Sequence, residues 1–227
     1  MRAALLQLTS GDEPKSNLVC TLDKVREAAA AGAGFVLTPE VTNCVSTSRR
    51  QQQAVLQHEA QDATLAALCD LADELGIWLL IGSLALKTDA ADGRFANRSF
   101  LVAPDGSVHA RYDKIHMFDV DVSAEETYRE SDGYLPGDRA VTAKTPFGTL
   151  GMTICYDLRF PLSLSIIGLG GCGYFNRPVG FFTGNGCCAL VCVAAGTGNR
   201  NRLLCLGACP IRYASCQVWK AAQNLWA

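Results

Sequence analysis

Up to Pro161 the apolar residues of this chain fall into two alternating patterns: short unbroken runs and stripes of helical period. Ala3–Leu8 is an apolar run with the character of a buried strand. From Pro14 to Ala31 the apolar positions Leu18, Leu22, Val25 and Ala28/Ala29 recur on one stripe, predicting a helix that Gly32 stops. Phe35, Val36 and Leu37 form a short strand ending at Thr38-Pro39-Glu40. A second helix is predicted over Gln51–Leu75, with Leu65, Leu68, Leu71 and Leu75 on its apolar face and Gly76 closing it. Ile77–Leu86 is a strongly apolar strand. Ser99–Ala103 and Val108–Tyr112 flank Pro104-Asp105-Gly106, a turn placed as in a hairpin. Residues 119–140 form a polar, acidic loop ending in Pro136-Gly137, and Leu150–Cys155 is a further strand. The order β-α-β-α-β, then hairpin, loop and strand, predicts a layered α/β protein with a largely buried sheet.

After Pro161 neither period survives. Glycine is dense (Gly168, Gly170, Gly171, Gly173, Gly180, Gly184, Gly186), helix caps are missing, and there is no clear linker or internal repeat. Seven of the eleven cysteines lie beyond residue 161, whereas every Asp and Glu lies at or before Asp157. The net charge of −2 therefore hides an acidic first part and a tail whose charged residues are Arg177, Arg200, Arg202, Arg212 and Lys220. Five scattered cations without an aromatic platform argue against a nucleic-acid partner. Residues Met1–Leu8 lack the length of a secretory signal, and no apolar stretch is long enough for a membrane span. A cytoplasmic protein with reduced thiols, and no membrane partner, is the expectation. An odd number of irregularly spaced cysteines does not suggest a disulfide framework.

Glu40, Lys114 and Cys155 each stand at the C-terminal end of a predicted strand, the edge of an open α/β sheet where sites assemble. A thiolate nucleophile needs a base to take its proton and a cation to hold the oxyanion that forms on attack. Glu40 suits the first role and Lys114 the second. Burying them together is expected to shift both pKa values. Glu, Lys and Cys are common residues, and a buried cysteine is more often inert packing, so spacing alone leaves both readings open.

Three local motifs narrow the choice. Thr38-Pro39-Glu40, Tyr112-Asp113-Lys114-Ile115-His116-Met117-Phe118-Asp119-Val120 and Ile154-Cys155-Tyr156-Asp157-Leu158-Arg159-Phe160-Pro161 together resemble the nitrilase, or carbon-nitrogen hydrolase, superfamily in order and approximate spacing. Phe118-Asp119-Val120-Asp121 and Tyr128-Arg129-Glu130-Ser131 are similar to its Nit branch, whose members are amidases on small ω-amides, including deaminated glutathione. The resemblance covers residues 1–161. It implies an α-β-β-α sandwich and attack by Cys155 on an amide carbon. Glu40 would act as general base and then acid, with Lys114 and the backbone N–H of Tyr156 as oxyanion hole. No cofactor is implied, and an intact family member would be a homo-oligomer. Glu130 loosely matches a second active-site glutamate of the family, or is a loop acid. Arg159 would orient a carboxylate or make a structural ion pair. His116 reads as packing beside the site, His58 and His109 as surface or strand residues, and Cys20, Cys44 and Cys69 as spectators. No HxxxH, CxxC or acidic cluster points to a metal.

Residues 162–227 depart from the family and read as an aberrant Cys/Gly-rich tail replacing the rest of the same domain. Back-translated and read one nucleotide later at each codon junction, the tail from Leu169 onward permits Val-Pro-Ser-Ala-Phe, His-Trp and Arg-Ala-Arg-Ala-Ile-Glu, segments the family carries there. A one-nucleotide frame change between Pro161 and Leu169 accounts for the lost acids and lost period. A genuine Cys-rich region is the opposing reading. The expected function is an amidase acting on a small linear ω-amide through a cysteine thioester. The alternatives are a non-catalytic fragment that associates with intact subunits and a thiol- or metal-binding protein.

Overall fold

The computed structural model describes residues 1–160 throughout and, beyond them, the backbone of three strands at 189–195, 202–208 and 217–220. The elements in chain order are β1 (Ala3–Gln7), α1 (Pro14–Ala30), β2 (Phe35–Leu37), α2 (Arg49–Val55), α3 (Ala63–Leu75), β3 (Trp78–Leu86), β4 (Phe95–Val102), β5 (Val108–Asp113), β6 (Asp119–Asp121), β7 (Thr127–Arg129), β8 (Tyr134–Leu135), β9 (Val141–Thr145), β10 (Gly148–Met152), β11 (Ala189–Ala195), β12 (Arg202–Ala208) and β13 (Gln217–Lys220). One sheet runs β13-β1-β2-β3-β4-β5, with β8 also paired to β4, and a second runs β12-β11-β10-β9.

β2 and β3, at the centre of the first sheet, are buried on both faces, as their unbroken apolar runs require. Successive side chains of a strand point to opposite faces. Accordingly Leu6, Val36, Leu79, Ile81, Phe100 and Val102 pack toward α1 and α3, with Val25, Leu68 and Leu71 opposite them. Phe35, Leu37, Leu80, Leu101 and Tyr112 pack the other way, against Leu150, Met152 and Ile154 of the second sheet and its exit. Among the described residues this makes three layers: helices, sheet, sheet. The outer helical layer expected on the second sheet lies outside the described residues, as does the segment assigned to the frame change.

Four expectations are corrected. The predicted helix Gln51–Leu75 is two helices, because Asp62 starts a new one by accepting the Leu65 N–H at 2.8 Å. Leu56 and His58 between them are extended. The fully buried stripe of α1 runs through Asn17, Thr21, Val25 and Ala28, so two polar residues lead it, while Leu22 and Ala29 of the predicted stripe pack against the core partly buried. Asn17 is held inside by bonds with Gly11 and with the Asn43 carbonyl. The acidic stretch 119–140 is structured, since β6 and β7 pair antiparallel and β8 joins β4. Finally, the tail that reads without a period contains three strands: β11 pairs with β10, β12 with β11, and β13 with β1. The hairpin expected around Gly106 is present, with Gly106 at φ 75° and the Ala103 N–H bonded to Ser107.

β1, β2 and β3 are parallel, and β4 returns antiparallel, so the C-terminal ends of β2, β3 and β5 meet the start of β4 at one edge. The candidate residues collect there.

Candidate active site

Glu40 lies in a turn just beyond β2, and the following Val41 has φ 44°. A β-branched residue tolerates that conformation only where its surroundings over-determine it. Here they do. The Val41 N–H donates to Ser83 Oγ at 2.8 Å and the Thr42 N–H to the Ser83 carbonyl at 2.9 Å. Thr42 Oγ1 donates to the Pro39 carbonyl at 2.6 Å, and Thr38 Oγ1 accepts the Gly82 N–H at 3.1 Å. The turn also rests directly on Gly82. A Cβ there would stand 2.2 Å from the Thr38 oxygen and 2.6 Å from the Pro39 carbonyl. The β3–β4 register breaks at this point, between Ile81 and Leu84.

Lys114 follows β5 and is buried, 2% exposed. Its N–H donates to the Asn97 carbonyl at 2.9 Å and its carbonyl accepts the Gly137 N–H at 2.8 Å. The ammonium reaches Glu40 Oε1 at 3.0 Å, Glu130 Oε1 at 2.9 Å and Glu130 Oε2 at 2.8 Å. Burial by itself would push the lysine pKa down. The charges of Glu40, Glu130 and Cys155, with the Glu130 hydrogen bond, outweigh it and hold Lys114 well above the ordinary lysine range. It is therefore a fixed cation at neutral pH, its pKa shifted upward by its carboxylate neighbours. Glu130 also accepts the Phe118 N–H at 2.7 Å. Its short turn, Glu130–Asp132, is tied down from outside by Arg94, which donates to the Ser131 carbonyl, and by Arg49, which donates to the Gly133 carbonyl.

Cys155 opens a 3-10 turn, Cys155–Arg159, rather than closing a strand, and its φ is 48°. Val41 and Cys155 are the non-glycine residues with positive φ among the described residues, so both strained positions fall at the site. The turn is held by Asp157, which is buried. Asp157 Oδ2 accepts the Ile154 N–H at 2.9 Å and the Tyr112 hydroxyl at 2.6 Å. Its Oδ1 accepts the His116 N–H at 2.9 Å and His116 Nδ1 at 2.7 Å, so the Nδ1 position carries a proton. Burial pushes the Tyr112 phenol far up, and the Asp157 charge and hydrogen bond push it further, so Tyr112 remains a donor. Asp157 thus ties the cysteine turn to the strand that carries Lys114.

The rim is aromatic. His116 stacks on Phe160 with ring centroids 3.6 Å apart, and Tyr156 meets Phe118 and Phe160 edge-on at 5.1 and 5.5 Å. Tyr128 leans on Phe118 from β7.

The structure brings Glu40, Lys114 and Glu130 into one hydrogen-bonded cluster, with Cys155 close enough that its charge acts on Lys114. Tyr156 is half-buried beside Cys155, and Arg159 is exposed at the end of the same turn. His58 lies 3.7 Å from Asp89 on the surface, and His109 bonds the Lys144 carbonyl. Cys44 is a spectator: burial, with Asp12 and Glu13 nearby, pushes its thiol up to about 11. Two residues with no assigned role matter here. Asp157 stood inside the quoted motif, where only its fourfold hydrogen bonding reveals its part. Asn97 fell outside the predicted strand Ser99–Ala103, because β4 begins earlier, at Phe95. Among the described residues no group of three His, Cys, Asp or Glu is arranged to hold a metal, and no helix is long and apolar enough to cross a membrane.

The carbon-nitrogen hydrolase pattern matches residues 2–182. The chain belongs to the carbon-nitrogen hydrolase family. The match runs past residue 161, where the recognisable motifs stop. Deaminated glutathione amidase of Yersinia enterocolitica is 36% identical over 180 residues, covering 78% of this chain and 62% of that protein. Omega-amidase NIT2 of Homo sapiens is 33% identical over 180 residues, covering 79% and 63%. The chain therefore spans less than two thirds of the length of these relatives. Among solved structures, Saccharomyces cerevisiae Nit3, a member of branch 10 of the nitrilase superfamily, superposes with a TM-score of 0.63 at 25% identity, over 75% of this chain and 61% of that one. A glutamate-to-glutamine mutant of the amidase from Nesterenkonia sp. AN1, showing the result of Michael addition of acrylamide at its active-site cysteine, gives 0.59 at 26%, over 72% and 61%. The α/β nitrilase sandwich is thus the fold of this chain.

Proposed function

We propose that this carbon-nitrogen hydrolase is an amidase for a small linear ω-amide of the deaminated-glutathione type, working through a thioester on Cys155. The observation that carries the reading is the Glu40–Lys114–Glu130 cluster: one buried ammonium between two carboxylates, beside a cysteine held at a strained turn. With both carboxylates ionised and Lys114 charged, transfer of the cysteine proton to Glu40 moves charge within the cluster without changing its total. The two bonds to Glu40 both land on Oε1, which leaves Oε2 for that proton. The thiolate attacks the amide carbon, and the oxyanion is met by Lys114 and the Tyr156 N–H. Glu40 returns the proton to the nitrogen, the C–N bond breaks and ammonia leaves. Water, its proton taken by Glu40, then attacks the thioester, releasing the carboxylic acid and restoring the thiol. Glu130 keeps Lys114 oriented. Arg159, exposed at the rim, is assigned to a carboxylate on the substrate.

The names of the amidase relatives support this substrate class, and the absence of a membrane-spanning helix among the described residues suits a cytoplasmic enzyme. We assign the aberrant tail to a one-nucleotide change of frame between Pro161 and Leu169, supported by the lack of any acid after Asp157. Resequencing codons 155–175 tests that assignment.

Ammonia release from ω-amides by the purified 227-residue chain tests the activity. Turnover that disappears in Cys155→Ala and in Glu40→Gln is the expected result. A folded chain that binds an intact homologue yet releases no ammonia would instead establish the non-catalytic fragment.

A further inference from the structure

Asn97 is 2% exposed and sits between the two carboxylates of the site. Its Nδ2 lies 2.9 Å from Glu40 Oε1 and 3.4 Å from Glu130 Oε1. Its backbone carbonyl accepts the Lys114 N–H at 2.9 Å. One residue therefore sets the lysine backbone with its carbonyl and Glu40 with its amide. The other end of that amide is left unsatisfied. Asn97 Oδ1 is buried and has no hydrogen-bond partner among the described residues.

A buried acceptor left without a donor is costly, and such exceptions call for a compensating reason. Turning the amide over would not help, because Oδ1 would then face two carboxylate oxygens. The orientation is dictated by Glu40 and Glu130. A neutral donor also has a virtue here that a second cation would lack. It restrains the carboxylates without adding positive charge beside Lys114, which already carries the oxyanion role.

We infer that Asn97 is a positioning residue of the hydrolytic site: its amide N–H2 bridges Glu40 and Glu130, fixing Glu40 Oε1 so that Oε2 serves the proton exchange with Cys155. This rests on the reading of Cys155 as nucleophile and Glu40 as base.

The test uses Asn97→Leu, which removes both the donor and the orphan acceptor, and Asn97→Asp, which keeps the shape and replaces the donor with an acceptor. Alkylation of Cys155 by iodoacetamide is followed by mass spectrometry from pH 5 to 9, beside ammonia release and thermal unfolding. Wild-type Cys155 should react faster than Cys69 in the same molecule. If it does not, the nucleophile assignment fails before Asn97 is considered. Given that contrast, Asn97→Leu should slow Cys155 alkylation at neutral pH by about tenfold, the scale of one hydrogen bond to a charged group. It should also move the acid limb to higher pH, lower kcat more than it raises KM, and leave the unfolding temperature near wild type. Asn97→Asp should show a larger shift of the limb in the same direction. A residue that merely fills space would leave the pH profile in place. Wild-type rates and an unmoved limb in both variants would overturn the inference.

Discussion

The hydroxyl of Tyr112 donates to Asp157 across the seam between the two sheets, at 2.6 Å. Tyr112 is the penultimate residue of β5, two before Lys114, while Asp157 lies in the turn that begins with Cys155. The bond therefore registers the cation strand against the nucleophile turn. Tyr112→Phe removes one of the four donors of a buried carboxylate. It should cost about 1–3 kcal/mol of stability, read from urea unfolding, and lower amide turnover in the same protein. Asp157→Ala strands all four donors and should cost more on both measures.

Lys114 is the buried charge on which two carboxylates depend. Lys114→Met should destabilise by about 3–5 kcal/mol, because breaking a buried pair leaves uncompensated charge. Turnover should fall with it by roughly two to three orders of magnitude, the scale of a lost oxyanion donor. The folded pKa of this lysine is raised, so its stabilisation is fully present below the unfolded value of about 10.4 and is lost as pH rises through the folded value. The stability gap between wild type and Lys114→Met should thus stay constant from neutral pH to about pH 10 and narrow above it. A gap that already narrows between pH 7 and 9 would contradict a fixed cation.

At an ordinary position alanine is more stabilising than glycine. At φ 48° the order should reverse, since the left-handed region costs a residue with a Cβ about 1–2 kcal/mol. Cys155→Gly should unfold at higher temperature than Cys155→Ala, with both inactive. The usual order, alanine above glycine, would show that the turn relaxes.

Gly82→Ala drives a methyl group into backbone atoms of Thr38 and Pro39. Backbone cannot swing aside as a side chain does, so the Glu40 turn must move. A loss of about 1–3 kcal/mol is expected, with turnover falling further than stability alone accounts for. Activity per folded molecule, corrected by circular dichroism, separates the two effects.

Much of the fold was legible in sequence because buried strands and amphipathic helices imprint their periods. Phe35–Leu37, Ile77–Leu86 and the Leu65, Leu68, Leu71 stripe all lie in the elements that the pattern predicts. What escaped the pattern had a local cause. The helix over Gln51–Leu75 breaks because Asp62 prefers to cap, and β4 hid its first residues behind polar Asn97 and Arg98.

By itself the sequence determined the chemistry that is available: a cysteine after an apolar strand, a glutamate after Thr-Pro and a lysine in an aromatic, acidic segment, in the family's order. Residue identity and short-range motif suffice for that. Only the tertiary structure decided that Glu130 shares the Lys114 ammonium, that Asn97 joins both carboxylates, and that Asp157 binds Tyr112 and His116. Glu40 and Asn97 are 57 positions apart and Tyr112 and Asp157 are 45, distances that no periodicity spans. Sheet register alone brings such residues together, and the cost of burying charge unpaired then fixes how they must meet.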